Sequence, residues 1–131
     1  MKWITATAPP DQDTRCFIAC RRQDGTIYIS GYKGDYTIGL QRTVGSSLYV
    51  GFLQPNVIAW LPVPSPYTHN KRGWNLLRER EPDKNGEYIV STYNQFGAER
   101  VELAIYDAEK LKFYRQPDAI AWMPVPKVKT A

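Results

Sequence analysis

Residues 54–64 read QPNVIAWLPVP and residues 116–126 read QPDAIAWMPVP, eight of eleven positions identical at a separation of sixty-two residues. If the phrase is extended, both of its faces are apolar. Val57, Ala59 and Leu61 point one way and Ile58 and Trp60 the other, and in the second copy Ala119, Ala121 and Met123 oppose Ile120 and Trp122. A strand apolar on both sides is covered on both sides. Pro62, Pro64, Pro124 and Pro126 mark where it ends, because they lack the N–H that a ladder requires. Trp60, Trp122, Ile58 and Ile120 are therefore read as core, with the tryptophans stacked on neighbouring prolines where two halves of the chain meet. A paired aromatic cage for a ligand is the alternative use of the same tryptophans.

Further correspondences extend outward from the phrase. Trp3 opens WITATAPPD and Trp74 opens WNLLREREPD, each followed within eight residues by a Pro-Asp step. RCFIACRRQDG (15–25) and EYIVSTYNQFG (87–97) are both β-rich runs that end in a polar turn with glycine. TIYISGY and RVELAIYD then alternate. Ile27 and Ile29 stand against Tyr28 and Ser30, and Val101, Leu103 and Ile105 against Glu102, Ala104 and Tyr106, which predicts strands with the aliphatic face in a core. The fold class is mainly β, with little helix. Two pseudo-symmetric antiparallel β repeats, 1–68 and 69–131, are expected to pack into one compact domain, since a unit of about 60 residues buries little surface alone. GWNLLRERE and DAEKLKFY contain good helix formers, although the second reads equally well as a turn and a strand. SPYTHNKRG (65–73) reads as a polar linker.

Chemistry is sparse. The net charge of +4 divides evenly, with six basic and four acidic residues in 1–68 and eleven and nine in 69–131, so no half is a concentrated polycation. No apolar run approaches the roughly 18 to 20 residues of a membrane span, and MKWITATAPP has no signal-peptide core. A cytoplasmic protein is expected. In a strand, Cys16 and Cys20 would share a face about 13 Å apart, beyond the roughly 7 Å reach of a disulfide, as separate, half-buried, reduced thiols. A zinc site would need about four ligands, and His69 is the single histidine. No nucleophile elbow, Walker loop, HExxH or paired CxxC occurs. Neither catalysis nor a metal or cofactor is expected.

Binding is the better reading. Nine tyrosines and four tryptophans are more than a small core needs, and exposed Tyr, Trp and Arg dominate protein interfaces. The halves also differ in length: 21 residues separate Tyr32 from Gln54, but nine separate Tyr106 from Gln116. The longer stretch, 33–53, is either a binding loop or a longer hairpin. Its Lys33, Tyr36, Arg42, Ser46 and Ser47, together with Tyr28, Tyr32, Tyr106, Tyr114 and Arg115, are the candidate contacts. A protein partner is expected, and a homo-oligomer is left open. The rival partner is a nucleotide signal or nucleic acid, stacked on these rings and held through Arg21, Arg22, Lys33, Arg42 and Arg115.

The early Trp-Ile and the closing Trp-Met-Pro-x-Pro resemble a phage and prophage family, the domain of unknown function numbered 551, also seen at the end of Ead-type early phage proteins. Trp3, Ile4 and Pro9 or Pro10 match its opening in the first copy, and Trp60, Pro62 and Pro64 its close. Trp74 and Pro82, then Trp122, Met123, Pro124 and Pro126, match in the second. Leu61 stands where the family usually has Met, Val63 and Val125 where it has Leu, and Asn75 where it has Ile. The resemblance implies a tandem pair of such domains encoded by a virus or prophage, and it brings no catalytic residues. The expected role is a small accessory protein that binds and modulates a host or defence protein.

Overall fold

The computed structural model describes residues 1–5, 15–30, 57–93 and 96–128. Every regular element among them is a strand. These are β1 (Ile4–Thr5), β2 (Cys16–Arg21), β3 (Ile27–Ser30), β4 (Val57–Pro62), β5 (Asn75–Leu76), β6 (Gly86–Tyr93), β7 (Glu99–Asp107), β8 (Lys112–Phe113) and β9 (Ala121–Pro124). The chain divides into two compact units, Met1–Val63 with Pro126–Ala131, and Pro64–Val125. The first holds an antiparallel sheet of order β1-β4-β2-β3, the second one of order β5-β9-β6-β7-β8.

Each repeated phrase supplies an inner strand, and the registers agree. Trp60 lies between Ile4 and Ile18, and Trp122 between Asn75 and Val90. Leu61 faces Phe17 as Met123 faces Ile89, and Pro62 faces Cys16 as Pro124 faces Tyr88. Ala59, Trp60 and Leu61 are consecutively buried, as are Ala121, Trp122 and Met123, so both faces of the phrase are covered as expected. Ile58 and Ile120 are only half-buried, and Ile120 precedes β9. Its N–H donates to Ser91 O (2.9 Å) and its carbonyl accepts from Leu77 N–H (2.9 Å).

Each tryptophan packs in a cluster of side chains from its own sheet. Trp60 packs with Cys16, Ile18 and Cys20, flanked by Ile4 and Tyr28. Trp122 packs with Tyr88, Val90, Ala104, Tyr106 and Phe113. The second cluster is dominated by edge-to-face rings, with Tyr88 5.3 Å from Trp122, 6.4 Å from Tyr106 and 6.2 Å from Phe113. Such pairs contribute about 0.5–1.5 kcal/mol each beyond their area.

Two further expectations are corrected here. Along β7 Val101 is buried as expected, but Ala104 and Tyr106 on the opposite face are buried as well, while Ile105 is exposed. Pairing of Tyr88 with Ala104 and of Gly86 with Tyr106 puts these residues on the face of Trp122. Tyr28, opposite Cys20, likewise turns towards Trp60. The thiols of Cys16 and Cys20 are free, as expected, but fully rather than half buried.

Turns close as the sequence suggests. Gly25 and Gly97, ending QDG and QFG, have φ of 90° and 81°, and nothing lies near a Cβ built on either. Gly97→Ala should cost about 1–2 kcal/mol, from the left-handed backbone alone; urea titration reads this directly. DAEKLKFY forms the turn and strand rather than a helix, because Asp107 Oδ1 accepts from Glu109 N–H (3.0 Å) and Lys110 N–H (3.2 Å) and so diverts the backbone. GWNLLRERE likewise yields only β5 and a turn. The stretch 65–73 is bound to the second unit: Tyr67 N–H donates to Ser91 Oγ (3.0 Å) and Trp74 Nε1 to Ser65 O (3.1 Å), while the Thr68 hydroxyl donates to the Glu99 carboxylate.

Candidate functional site

Strand β8 is two residues long and forms one edge of the second unit's sheet. It is bracketed by Leu111 and Arg115, non-glycine residues with φ of 55° and 59°. Left-handed backbone at such residues costs about 1–3 kcal/mol and collects where a side chain must be aimed. Here it surrounds the most exposed apolar surface of this unit. Ile105 is 58% exposed, Leu111 59%, Tyr114 62% and Phe96 83%.

Two shallow cavities run along this surface. The first, of about 440 Å³, is bordered by Ile105, Phe113 and Tyr114 with Lys110, Lys112 and Arg115, and Asp107 stands at its rim. The second, of about 410 Å³, lies among Tyr93, Phe96, Arg100, Gln116 and Asp118. Arg115 and Pro117 belong to both. The Arg115 guanidinium lies 5.2 Å from the Tyr114 ring centroid. At the second cavity the Glu102 carboxylate is held by Arg100 (2.9 Å) and Gln116 Nε2 (2.6 Å). Thr92 contributes a buried hydroxyl with no hydrogen-bond partner among the described residues. The whole is an apolar and aromatic strip rimmed by cations, which fits a surface carrying apolar side chains and carboxylates.

The sequence-derived contacts divide three ways. Tyr114 and Arg115 are adjacent and exposed, and the fold adds Ile105, Lys110 and Lys112 to them. Tyr106 is not a contact: it is fully buried, its hydroxyl donates to Glu81 Oε2 (3.3 Å), and burial together with that carboxylate's charge raises its pKa. Tyr28 is half-buried, with the Arg22 guanidinium 4.4 Å over its ring. Tyr32, Lys33, Tyr36, Arg42, Ser46 and Ser47 lie outside the described residues. Sequence reasoning missed Phe96, although a phenylalanine inside the polar turn NQFG has little access to a core.

Other reactive groups are committed elsewhere. Burial pushes the Cys16 thiol up to about 12, which leaves it protonated and unreactive near neutrality. Cys20 is also raised by burial, partly offset by a hydrogen bond with Tyr28. His69 Nε2 stands 3.1 Å from the Glu99 carboxylate at the far end of β7. No three His, Cys, Asp or Glu side chains among the described residues are grouped to hold a metal ion. Nor is any described helix long and apolar enough to cross a membrane. No family model, curated protein or solved structure matches the chain.

Proposed function

We propose that this chain is a non-enzymatic binding protein whose second unit engages a protein partner through the β7–β8 edge. The observation that carries this reading is the coincidence there of exposed Ile105, Leu111 and Tyr114, a cationic rim, and two left-handed residues that aim them. Exposed apolar side chains scattered singly are ordinary, whereas a contiguous rimmed patch marks an interaction site. Resemblance of the two tryptophan-proline motifs to the phage domain makes a host or defence protein the partner class to test first. The mechanism is occlusion by a rigid surface. Correspondence of strand order and register supports descent of both units from one duplicated ancestor.

Arg115→Gly and Tyr114→Ser are the informative variants. Glycine suits a φ of 59°, so Arg115→Gly should keep or slightly raise stability. Wild-type protein immobilised in host extract should retain a partner that both variants lose at least tenfold, with melting curves unchanged. Equal retention by folded variants would remove the site from the interface. A second reading, capture of a nucleotide or nucleic acid, draws on Arg21, Arg22 and Tyr28, which border one open surface of the β2–β3 hairpin. It predicts binding that weakens steeply with salt and a raised Tm with the right nucleotide.

A further inference from the structure

The sheet of the second unit carries an open stretch along one edge. β7 pairs with β6 from Glu99 to Tyr106, but on its other side β8 reaches only Tyr106 and Asp107. Tyr114 N–H adds one bond there, to the Ile105 carbonyl (2.8 Å). Arg115, at a φ of 59°, then turns the chain off the ladder: Gln116 N–H returns to the Phe113 carbonyl (3.3 Å), and the Gln116 side-chain amide donates to Glu102 (2.6 Å). Among the described residues, no strand lies beside β7 from Glu99 to Ala104 on that side. Ile105 directs its carbonyl away from β6, so the alternation of an antiparallel ladder directs the N–H and C=O of Leu103, Val101 and Glu99 the same way.

Unpaired ladder groups are a template for another strand, and edges are ordinarily guarded by charges that repel one. The charges on this stretch are instead self-complementary. Arg100 and Glu102 flank Val101 with opposite signs, 2.9 Å apart on one face. When a second β7 runs antiparallel with Val101 opposite Val101, Arg100 of each copy faces Glu102 of the other. The outward residues then form two ladder bonds per facing pair, about six in all. Other registers fail: centring on Arg100 or Glu102 sets like charges directly opposite, which destabilises, and centring on Leu103 needs the Ile105 carbonyl that Tyr114 holds. The same two-fold carries the turn with exposed Phe96 to the β8 end of the other copy's β7, where Ile105 and Tyr114 are exposed. A two-fold interface requires this kind of match, in which each end of one patch fits the opposite end of its copy.

We propose that two copies of this chain dimerise by antiparallel pairing of β7 with β7 about Val101, joining their second-unit sheets edge to edge. This rests on the β7–β8 edge being an interaction surface and adds a second copy to the protein partners it takes. The contact is short, so the dimer belongs to the weak class that forms at micromolar to millimolar protein.

Sedimentation of the unaltered protein from about 10 μM to about 1 mM should show a dimer fraction that rises with concentration. A monomer throughout overturns the proposal. Arg100→Glu and Glu102→Arg each set like charges across the pair, and each should weaken self-association about tenfold. Mixed in equal amounts, the two variants restore opposite charges at both contacts, so a mixed dimer should form within about threefold of the wild-type affinity. A mixture that associates no better than either variant alone, both being folded by circular dichroism, overturns the pairing about Val101. Should the variants fail to fold, hydrogen exchange in the unaltered protein decides. The outward amides of Val101 and Leu103 should slow as the dimer fraction rises, while those of Ala104 and Tyr106, already bonded to β6, keep their rates. Dimer formation with unchanged exchange at Val101 and Leu103 overturns the use of β7. Retention of a partner from host extract is read separately: a monomer that retains one removes only the second copy, and a dimer that retains none removes only the host class.

Discussion

Trp122→Ala is expected to destabilise the protein by about 3–5 kcal/mol, the range for removing a large aromatic side chain from a packed core. The side chain is almost fully buried, meets the Tyr88 ring edge-on at 5.3 Å, and sits in a cluster whose other members cannot close the space without losing their own edge contacts. A second loss is polar. Trp122 Nε1 donates to Arg80 O at 2.7 Å, tying the turn after β5 to the middle of the sheet. Trp122→Phe keeps most of the ring and removes only this bond, so it should cost about 1–2 kcal/mol. Thermal melts should show Tm lower by roughly 10–20 °C for alanine and a few degrees for phenylalanine. Hydrogen exchange should locate the lost protection in β6, β7 and β9. Wild-type stability in Trp122→Ala, with partner binding abolished, would mean that the tryptophan serves a ligand rather than the core.

Alkaline destabilisation is the second large effect. The Cys16 thiol ionises at about 12 in the folded protein against an ordinary 9.0, because burial disfavours the thiolate. Between those values the unfolded chain has released the proton and the folded chain still holds it. Stability is therefore complete below about pH 9 and falls by about 1.4 kcal/mol per pH unit above it, on the order of 4 kcal/mol by the upper limit. Cys20, also raised by burial, adds in the same direction. Urea titrations from about pH 8 to pH 11 should show this slope, and Cys16→Ala should flatten it, whatever its own cost at neutral pH. An identical slope in both proteins would assign the alkaline loss to the other titrating groups.

Much of the architecture is legible in a few residues. Pro-x-Pro after a two-faced apolar run signalled a strand, its burial and its end, because proline removes a donor wherever it stands. QDG and QFG announced hairpin turns, because a left-handed position without Cβ is a property of glycine in any context. The shared order of tryptophan, turn and closing phrase in each half accompanies an inner position for β4 and β9 and the same register at Trp60 and Trp122, although the second sheet carries a fifth strand. Of the candidate site, Tyr114 and Arg115 were legible as side chains suited to an interface. The alternation reads Ile105 as inward-facing, because aliphatic residues favour a core.

Period-two alternation divides a strand into two faces without saying which one turns inward. That choice falls to the pairing of β6 with β7, which aligns Ala104 and Tyr106 with Tyr88 and Trp122 and leaves Ile105 outside. The partner of an indole N–H is also unspecified by local sequence, since a carbonyl 123 residues away is as good an acceptor as a near one. From the sequence alone follow the strand class, the breaks and the duplication of pattern, all of which rest on short-range sterics and solvation. The exposed face and the long-range hydrogen bond of Trp3 to the Pro126 carbonyl come from tertiary structure, because both depend on which of many equivalent partners the folded chain brings within reach.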